Sequence, residues 1–164
     1  APNVRDSALN RLIEALGGEP ATYELVGWVF YNAHMVDTVI EDIPLLGTRS
    51  TNYIGGEDGF TVMLYLIPIA LLFAVGLAAA RYWQADTPVD GATLGALLTP
   101  GYLLATVAGT LLFEVTVGGA TGGPDLVAAA VLAGIGYPLV CGGAGGAVGG
   151  WLEGRNRTQE PQKQ

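Results

Sequence analysis

Three long stretches without charged side chains dominate the pattern of hydrophobic and polar positions. They cover residues 59–80, 91–113 and 126–152, and Asp125 opens the third. At about 1.5 Å per helical residue, each is at least as long as the hydrocarbon core of a bilayer, about 30 Å. If the protein were water-soluble, three charge-free helices in a chain of 164 residues would leave no polar helix face to contact water. The pattern therefore predicts transmembrane helices at 59–80, 91–113 and 125–152.

A fourth, less uniform apolar segment covers residues 23–43. It is apolar over 25–31 and 35–40 but contains Asn32, His34 and Asp37. At about 100° per residue, His34, Asp37 and Glu41 share one face of a helix with Gly27 and Phe30, and most other apolar positions lie elsewhere. The segment is predicted to be a fourth spanning helix with its polar stripe toward the other helices. A helix lying flat in the membrane interface is the alternative.

The basic residues favour four spans with both ends in the cytoplasm. With the N-terminus inside, only Arg49 lies outside, which fits the positive-inside rule. With three spans, the N-terminal basic residues would move outside and weaken this bias. The prediction is a multi-pass protein of the cell membrane. The cytoplasmic residues would be Arg5, Arg11, Arg81, Arg155, Arg157 and Lys163.

The chain then divides into three parts around an all-α bundle. Residues 1–20 have apolar positions at helical spacing and predict a cytoplasmic amphipathic helix. Residues 21–152 form the four-helix transmembrane domain. Residues 153–164 are polar and form a cytoplasmic tail.

The last predicted span is unusually rich in glycine. Small residues let the backbones of two membrane helices approach closely, and packing of this kind drives helix association in lipid. We interpret this glycine face as a helix-packing surface, whose partner is another helix of this chain, a second copy or another protein. Its members are Gly134, Gly142, Gly145, Gly146, Gly149 and Gly150.

One proline lies inside each of the three charge-free runs: Pro68, Pro100 and Pro138. Proline removes a backbone donor and kinks a helix, and such breaks mark hinges in some transporters. The three positions are therefore candidate hinges. The alternative is that proline is simply more frequent in spanning helices than in soluble ones.

The candidate chemical site is the stripe formed by His34, Asp37 and Glu41, with Glu114 at the end of another span. Spacings of three and four place the first three side chains on adjacent turns of one helix face. Such a cluster could bind a cation or relay protons. A structural polar network and a solvated helix end are the alternatives.

Composition excludes several classes of function. There are 15 acidic and 7 basic residues, so a net charge of −8 would repel nucleic acid. The composition, acidic, poor in lysine and rich in glycine, resembles that of halophile proteins. One cysteine and one histidine cannot supply a Cys/His zinc cluster within one chain. No cofactor motif is present, so no cofactor is predicted.

Two functions follow from these features. The first is a non-enzymatic membrane subunit that assembles with itself or with a larger membrane complex through the glycine face. The second is a small channel or transporter for a cation or small solute that uses the outer polar stripe. A membrane enzyme would have to rely on carboxylates, or on a metal held by His34, and is not predicted.

Overall fold

A computed structural model describes residues 22–43, 47–55, 60–117 and 119–159. The predicted amphipathic segment 1–20 and residues 160–164 of the predicted tail lie outside these ranges. The described chain is mostly helical and contains a small antiparallel sheet. Its elements are α1 (Thr22–Asn32), β1 (Thr38–Ile43), β2 (Gly47–Thr51), α2 (Val62–Tyr82), α3 (Pro88–Leu112), β3 (Val115–Val117), β4 (Ala120–Pro124) and α4 (Leu126–Thr158).

The three charge-free runs form the long helices α2, α3 and α4. Each is long and apolar enough to cross a membrane, as predicted. Many of their large apolar side chains face outward, including Leu71, Leu104 and Val131. An outward apolar surface of this kind suits a lipid environment, because lipid tails are as apolar as these side chains.

The predicted helix over residues 23–43 is wrong. α1 ends at Asn32 after 11 residues, and strand β1 begins at Thr38. At about 1.5 Å per residue, α1 is about 16 Å long and too short to cross the hydrocarbon core. The all-α, four-span architecture is therefore replaced by three helices of spanning length, one short helix and a sheet.

The reversal after α1 is a Schellman-type helix end. Met35 has a positive φ of 59°, and its N–H donates to the carbonyl of Asn32. The N–H of Val36 donates to the carbonyl of Tyr31, and both side chains belong to one buried cluster. These two bonds and the left-handed residue end the helix and turn the chain back.

The sheet has the strand order β2-β1-β4-β3, with all neighbours antiparallel. Strands β1 and β2 precede α2, whereas β3 and β4 connect α3 to α4. The central pairing, in which Thr38 lies opposite Pro124, joins segments distant in sequence. The sheet therefore sits where α2 begins, α3 ends and α4 begins, and we call this four-stranded unit the headpiece.

Helix α4 changes geometry along its length. It starts with α-helix at Leu126–Ala128, where the side chain of Asp125 accepts a hydrogen bond from the N–H of Ala128 at 2.7 Å. Ala129–Gly136 and Pro138–Gly142 are π-helical, and Gly143–Gln159 is α-helical again. Residues 153–158 of the predicted tail are thus helical and continue α4.

Candidate functional site

His34 is buried in the turn after α1, on the side that faces α3 and α4. Its Nδ1 lies 2.8 Å from the carbonyl oxygen of Phe30, and its Nε2 lies 2.7 Å from the hydroxyl oxygen of Tyr102. A carbonyl only accepts, so Nδ1 carries a proton, and in the neutral imidazole Nε2 accepts from the Tyr102 hydroxyl. The neutral imidazole therefore has a partner for each ring nitrogen.

Two further aromatic rings enclose this imidazole. The ring centroid of Tyr137 lies 5.0 Å from that of His34, and Phe30 lies at 4.5 Å. The hydroxyl of Tyr137 donates to the carbonyl oxygen of Ala33 at 3.4 Å. Tyr137 lies between the two π-helical parts of α4, which end at Gly136 and begin at Pro138.

The side chains of Asn32 and Tyr31, which are buried beside this turn, are also paired within the chain. Asn32 donates to the carbonyl oxygen of Val36 at 2.7 Å and accepts from the N–H of Tyr53 at 2.8 Å. The hydroxyl of Tyr31 donates to the carbonyl oxygen of Thr106 in α3. Buried polar groups that are all satisfied fix one arrangement of the chain. The surroundings of His34 therefore match the structural polar network considered for the predicted stripe.

Asp37 lies apart from His34, on the exposed side of the headpiece. Its carboxylate accepts hydrogen bonds from Ser50 at 3.0 Å and from Asn52 at 3.2 Å, both of which follow from the pairing of β1 with β2. Glu41 is exposed on β1, and Glu114 is exposed just before β3. At about 3.3 Å per residue in an extended chain, Asp37 and Glu41 are separated by about 13 Å, so the helical spacing that placed them together does not apply.

The predicted ion or proton site is therefore divided between two environments. His34 faces the helices, whereas Asp37, Glu41 and Glu114 are exposed at the headpiece. Within the described ranges, no group of three or more His, Cys, Asp or Glu side chains is placed to hold a metal ion. The four residues do not form one ligand set.

The glycine face of α4 packs against helices of the same chain. Side chains added at Gly146 or Gly150 would overlap the backbone oxygens of Gly91 and Thr87 in and beside α3. A side chain at Gly145 would overlap the backbone oxygen of Phe73 in α2. These close approaches place α4 between α2 and α3. In the same way Gly134 approaches Leu103 and Thr106, Gly142 approaches Gly95, and Gly149 approaches Leu77 and Ala80.

The three prolines lie where helix geometry changes. Pro68 follows the transition from the 3-10 turn Val62–Tyr65 to α-helix. Pro100 is the second residue of the second part of α3, Thr99–Leu112, and Pro138 begins the second π-helical part of α4. Each proline thus coincides with a local break in the α-helical pattern, which is where its missing N–H costs least.

A stack of two aromatic rings connects α1 to the headpiece side. Trp28 and Tyr53 lie parallel with their centroids 6.4 Å apart, and the indole N–H of Trp28 donates to the carbonyl oxygen of Phe113 at 2.7 Å. The hydroxyl of Tyr53 is buried and has no hydrogen-bond partner among the described residues. Burial raises the pKa of Tyr53 to about 12, and the nearby Arg49 opposes this increase.

Ion pairs close the opposite end of the bundle. Arg157 in α4 pairs with Asp86 and donates to the carbonyl oxygen of Gln84 at 3.1 Å. Arg81 at the end of α2 lies 3.4 Å from the carboxylate of Glu153. These contacts connect the short α2–α3 loop to the C-terminal part of α4.

The sequence analysis identified His34 and the glycine face of α4, but not the residues that pack against them. Tyr102 and Tyr137 complete the environment of His34, but nothing in the sequence places them beside α1. Gly91 and Gly95 in α3 pack on α4, and their spacing of four residues was a usable signal. Small residues at this spacing in α3 indicate a second close-packing face, to which the glycine face of α4 could be matched.

Comparisons with known proteins add a family but no activity. No curated protein and no solved structure matches the chain. One family model, described as a family of unknown function (DUF7978), matches residues 1–153. Because this match covers nearly the whole sequence, the chain belongs to that family.

Proposed function

We propose that this protein is a non-enzymatic membrane subunit, anchored by three spanning helices, that holds the headpiece on the outer side of the cell membrane. The observation that carries the proposal is the pairing of β1 with β4, which gathers all four strands at one end of α2, α3 and α4. Three crossings put this end on one side of the bilayer. The loop Trp83–Thr87 and the C-terminal part of α4 then lie on the other side.

The distribution of basic residues supports the orientation. The positive-inside rule counts residues within about 15–20 positions of a span. On the headpiece side, only Arg49 meets this condition, because Arg5 and Arg11 are far from Val62. The opposite side is therefore the cytoplasmic side. It has four such residues, Arg81, Arg155, Arg157 and Lys163.

This orientation differs from the predicted one. Three crossings place residues 22 and 159, the two ends of the described part of the chain, on opposite sides of the bilayer. The exposed side chains of Tyr82, Trp83 and Trp151 fit a membrane–water interface at the cytoplasmic end. Exposed tyrosine and tryptophan are enriched at membrane–water interfaces.

The polar contacts support a role other than catalysis or ion transport. A transport site would present unpaired ligands or titratable groups along a path, yet both nitrogens of His34 are paired within the chain. The exposed carboxylates of the stripe are at the headpiece rather than along the helices. This arrangement favours the subunit function over the channel or transporter.

Assembly, in this proposal, uses the headpiece rather than the glycine face. The glycine face is filled by α2 and α3, so a second chain could not pack there without opening the bundle. The outermost strands β2 and β3 each have one edge that pairs with no described strand. Such an edge is a ready template for another chain.

Cysteine labelling tests the topology. In a Cys141→Ala background, Ser50→Cys reports on the headpiece and Asn156→Cys on the C-terminal part of α4. A membrane-impermeant maleimide applied to intact cells should label position 50 only, and position 156 should react after permeabilisation. Labelling of both positions on intact cells would contradict three crossings.

Native mass in a mild detergent tests the subunit proposal. Wild-type protein should migrate as an assembly of more than one chain. Gly142→Leu should disrupt the fold itself, because Gly142 approaches Gly95 and Gly76 within the chain. A folded wild-type monomer, both in native membranes and after extraction, would contradict the proposal.

A further inference from the structure

The route of α1 alongside α3 carries an inference about the bilayer. The two helices are antiparallel: Gly27 packs on Phe113, Tyr31 on Gly109, and His34 bonds to Tyr102. Moving along α1 therefore means moving away from the headpiece. Tyr102 lies ten residues before the end of α3 at Leu112, which is about 15 Å along the helix.

After the turn, the chain returns to the side from which it came. Val36 packs against Ala129 and Ala133 near the start of α4. The carbonyl oxygen of Asp37 accepts a hydrogen bond from the N–H of Asp125 at 3.0 Å, and β1 then enters the sheet. α1 thus extends from the headpiece end along the bundle, and the following turn brings the chain back to the same end.

The polarity of this segment is reversed relative to a helix in water. Asn32 and His34 are 0% exposed, as described above. The outward positions are apolar or aromatic, and the only carboxylate of α1, Glu24, is 9% exposed. The outward side chains are Tyr23 at 65%, Val26 at 66%, Phe30 at 46% and Met35 at 59% exposure.

We infer that residues 22–36 form a re-entrant hairpin whose outward face contacts lipid acyl chains. The inference rests on the proposed membrane anchor. Non-spanning backbone at membrane depth is tolerated only where its polar groups are satisfied by protein, and in the turn 33–36 all four N–H groups and the carbonyls of Ala33 and Val36 have partners within the chain. The outward face also continues the exposed apolar surface of α3, where Leu104 and Leu111 point outward. Acyl chains therefore fit this face better than water does.

Collision experiments on spin labels test the inference. In the Cys141→Ala background, Val26→Cys, Phe30→Cys and Met35→Cys carry a nitroxide in vesicles of phosphatidylcholine and phosphatidylglycerol. Leu104→Cys on α3 is the lipid reference, and Ser50→Cys on β2 is the water reference. Collision rates are measured with oxygen, which concentrates in lipid, and with a neutral nickel chelate, which stays in water.

The expected result is an oxygen-to-nickel ratio at positions 30 and 35 that matches position 104 and exceeds position 50 several-fold. Nickel access at 26, 30 and 35, with oxygen access retained at 104, would overturn the hairpin and leave the membrane anchor intact. Nickel access at 104 as well would overturn the anchor itself. Low access to both reagents at 30 and 35 would mean that protein covers this face, and would overturn the lipid contact.

Discussion

At the scale of single residues, the turn after α1 depends on polar groups that satisfy one another. The imidazole of His34 connects the carbonyl of Phe30 with the hydroxyl of Tyr102, so it joins α1 to α3 through two hydrogen bonds. A buried polar group that loses its partner costs free energy because it can no longer bond to water. The stability of the turn should therefore respond to loss of either partner.

Tyr102→Phe should lower the free energy of unfolding by about 1–2 kcal/mol, because Nε2 of His34 loses its donor. Denaturant unfolding in detergent micelles measures the change. Tyr82→Phe is the matched control, since Tyr82 is 79% exposed at the opposite end of the bundle. Equal stability of the two variants would show that the His34–Tyr102 contact does not stabilise the fold.

Tyr53→Phe should leave the stability unchanged or raise it by up to about 1 kcal/mol at neutral pH, because it removes a buried hydroxyl without a partner. At high pH the two proteins should diverge. The pKa of Tyr53 is raised to about 12 from an ordinary 10.0, so unfolding releases its proton as pH rises through this window and wild type loses stability.

Unfolding curves at neutral pH and at about pH 11 measure this difference. Other tyrosines titrate in both proteins, so only the difference between wild type and variant reports on Tyr53. A variant that loses as much stability as wild type at high pH would contradict burial of this ring.

At the scale of elements, the sequence predicts what depends on composition alone. Lack of charge over 20 or more residues is a property of each segment by itself, so α2, α3 and α4 were predictable. Segment 23–43 was not, because its apolar content fits a helix as well as a strand. Whether its second half forms helix or strand depends on pairing with β4, about 80 residues later in the chain.

The same limit applies to the candidate site. Predicting His34, Asp37 and Glu41 as one stripe assumed a single helix over 23–43. The chain instead reverses at Met35, a non-glycine residue in left-handed conformation, which carries no sequence signal for a helix end. Gly122 lies in β4, where its lack of a side chain gives room for the indole of Trp28.

Close packing of α4 makes a prediction that compares two glycines of the same helix. Gly146→Ala should destabilise the bundle by about 1–3 kcal/mol, because the new methyl group overlaps the backbone oxygen of Gly91. Gly143→Ala is the control: its methyl group would lie 3.8 Å from the nearest atom, the oxygen of Ala92. Its stability should match or slightly exceed that of wild type, because alanine favours helix.

Thermal unfolding in detergent ranks the two variants. Loss of stability in Gly146→Ala alone supports the intramolecular role of the glycine face. Two variants that both unfold like wild type, while native mass falls for Gly146→Ala, would instead place a second chain on this face.

At the scale of the whole molecule, the two ends of the bundle differ in how they are held. The headpiece end is closed by a sheet that joins both halves of the chain. The other end is closed by the ion pairs of Arg81 and Arg157 with Glu153 and Asp86. Exposed ion pairs contribute little to stability, so these arginines are expected to matter more for orientation than for folding.

This difference between the two ends predicts that the orientation of the protein across the membrane can be changed without changing its fold. Replacing Arg81, Arg155 and Arg157 together with glutamine leaves Lys163 against Arg49, so the excess of basic residues on the cytoplasmic side disappears. The variant should insert in both orientations, and the maleimide assay on intact cells should then label positions 50 and 156 in separate molecules. The triple lysine replacement keeps the charges and is the control, which should label position 50 alone. A glutamine variant that keeps the wild-type pattern would show that orientation does not depend on these charges, and would remove their support for an outer headpiece.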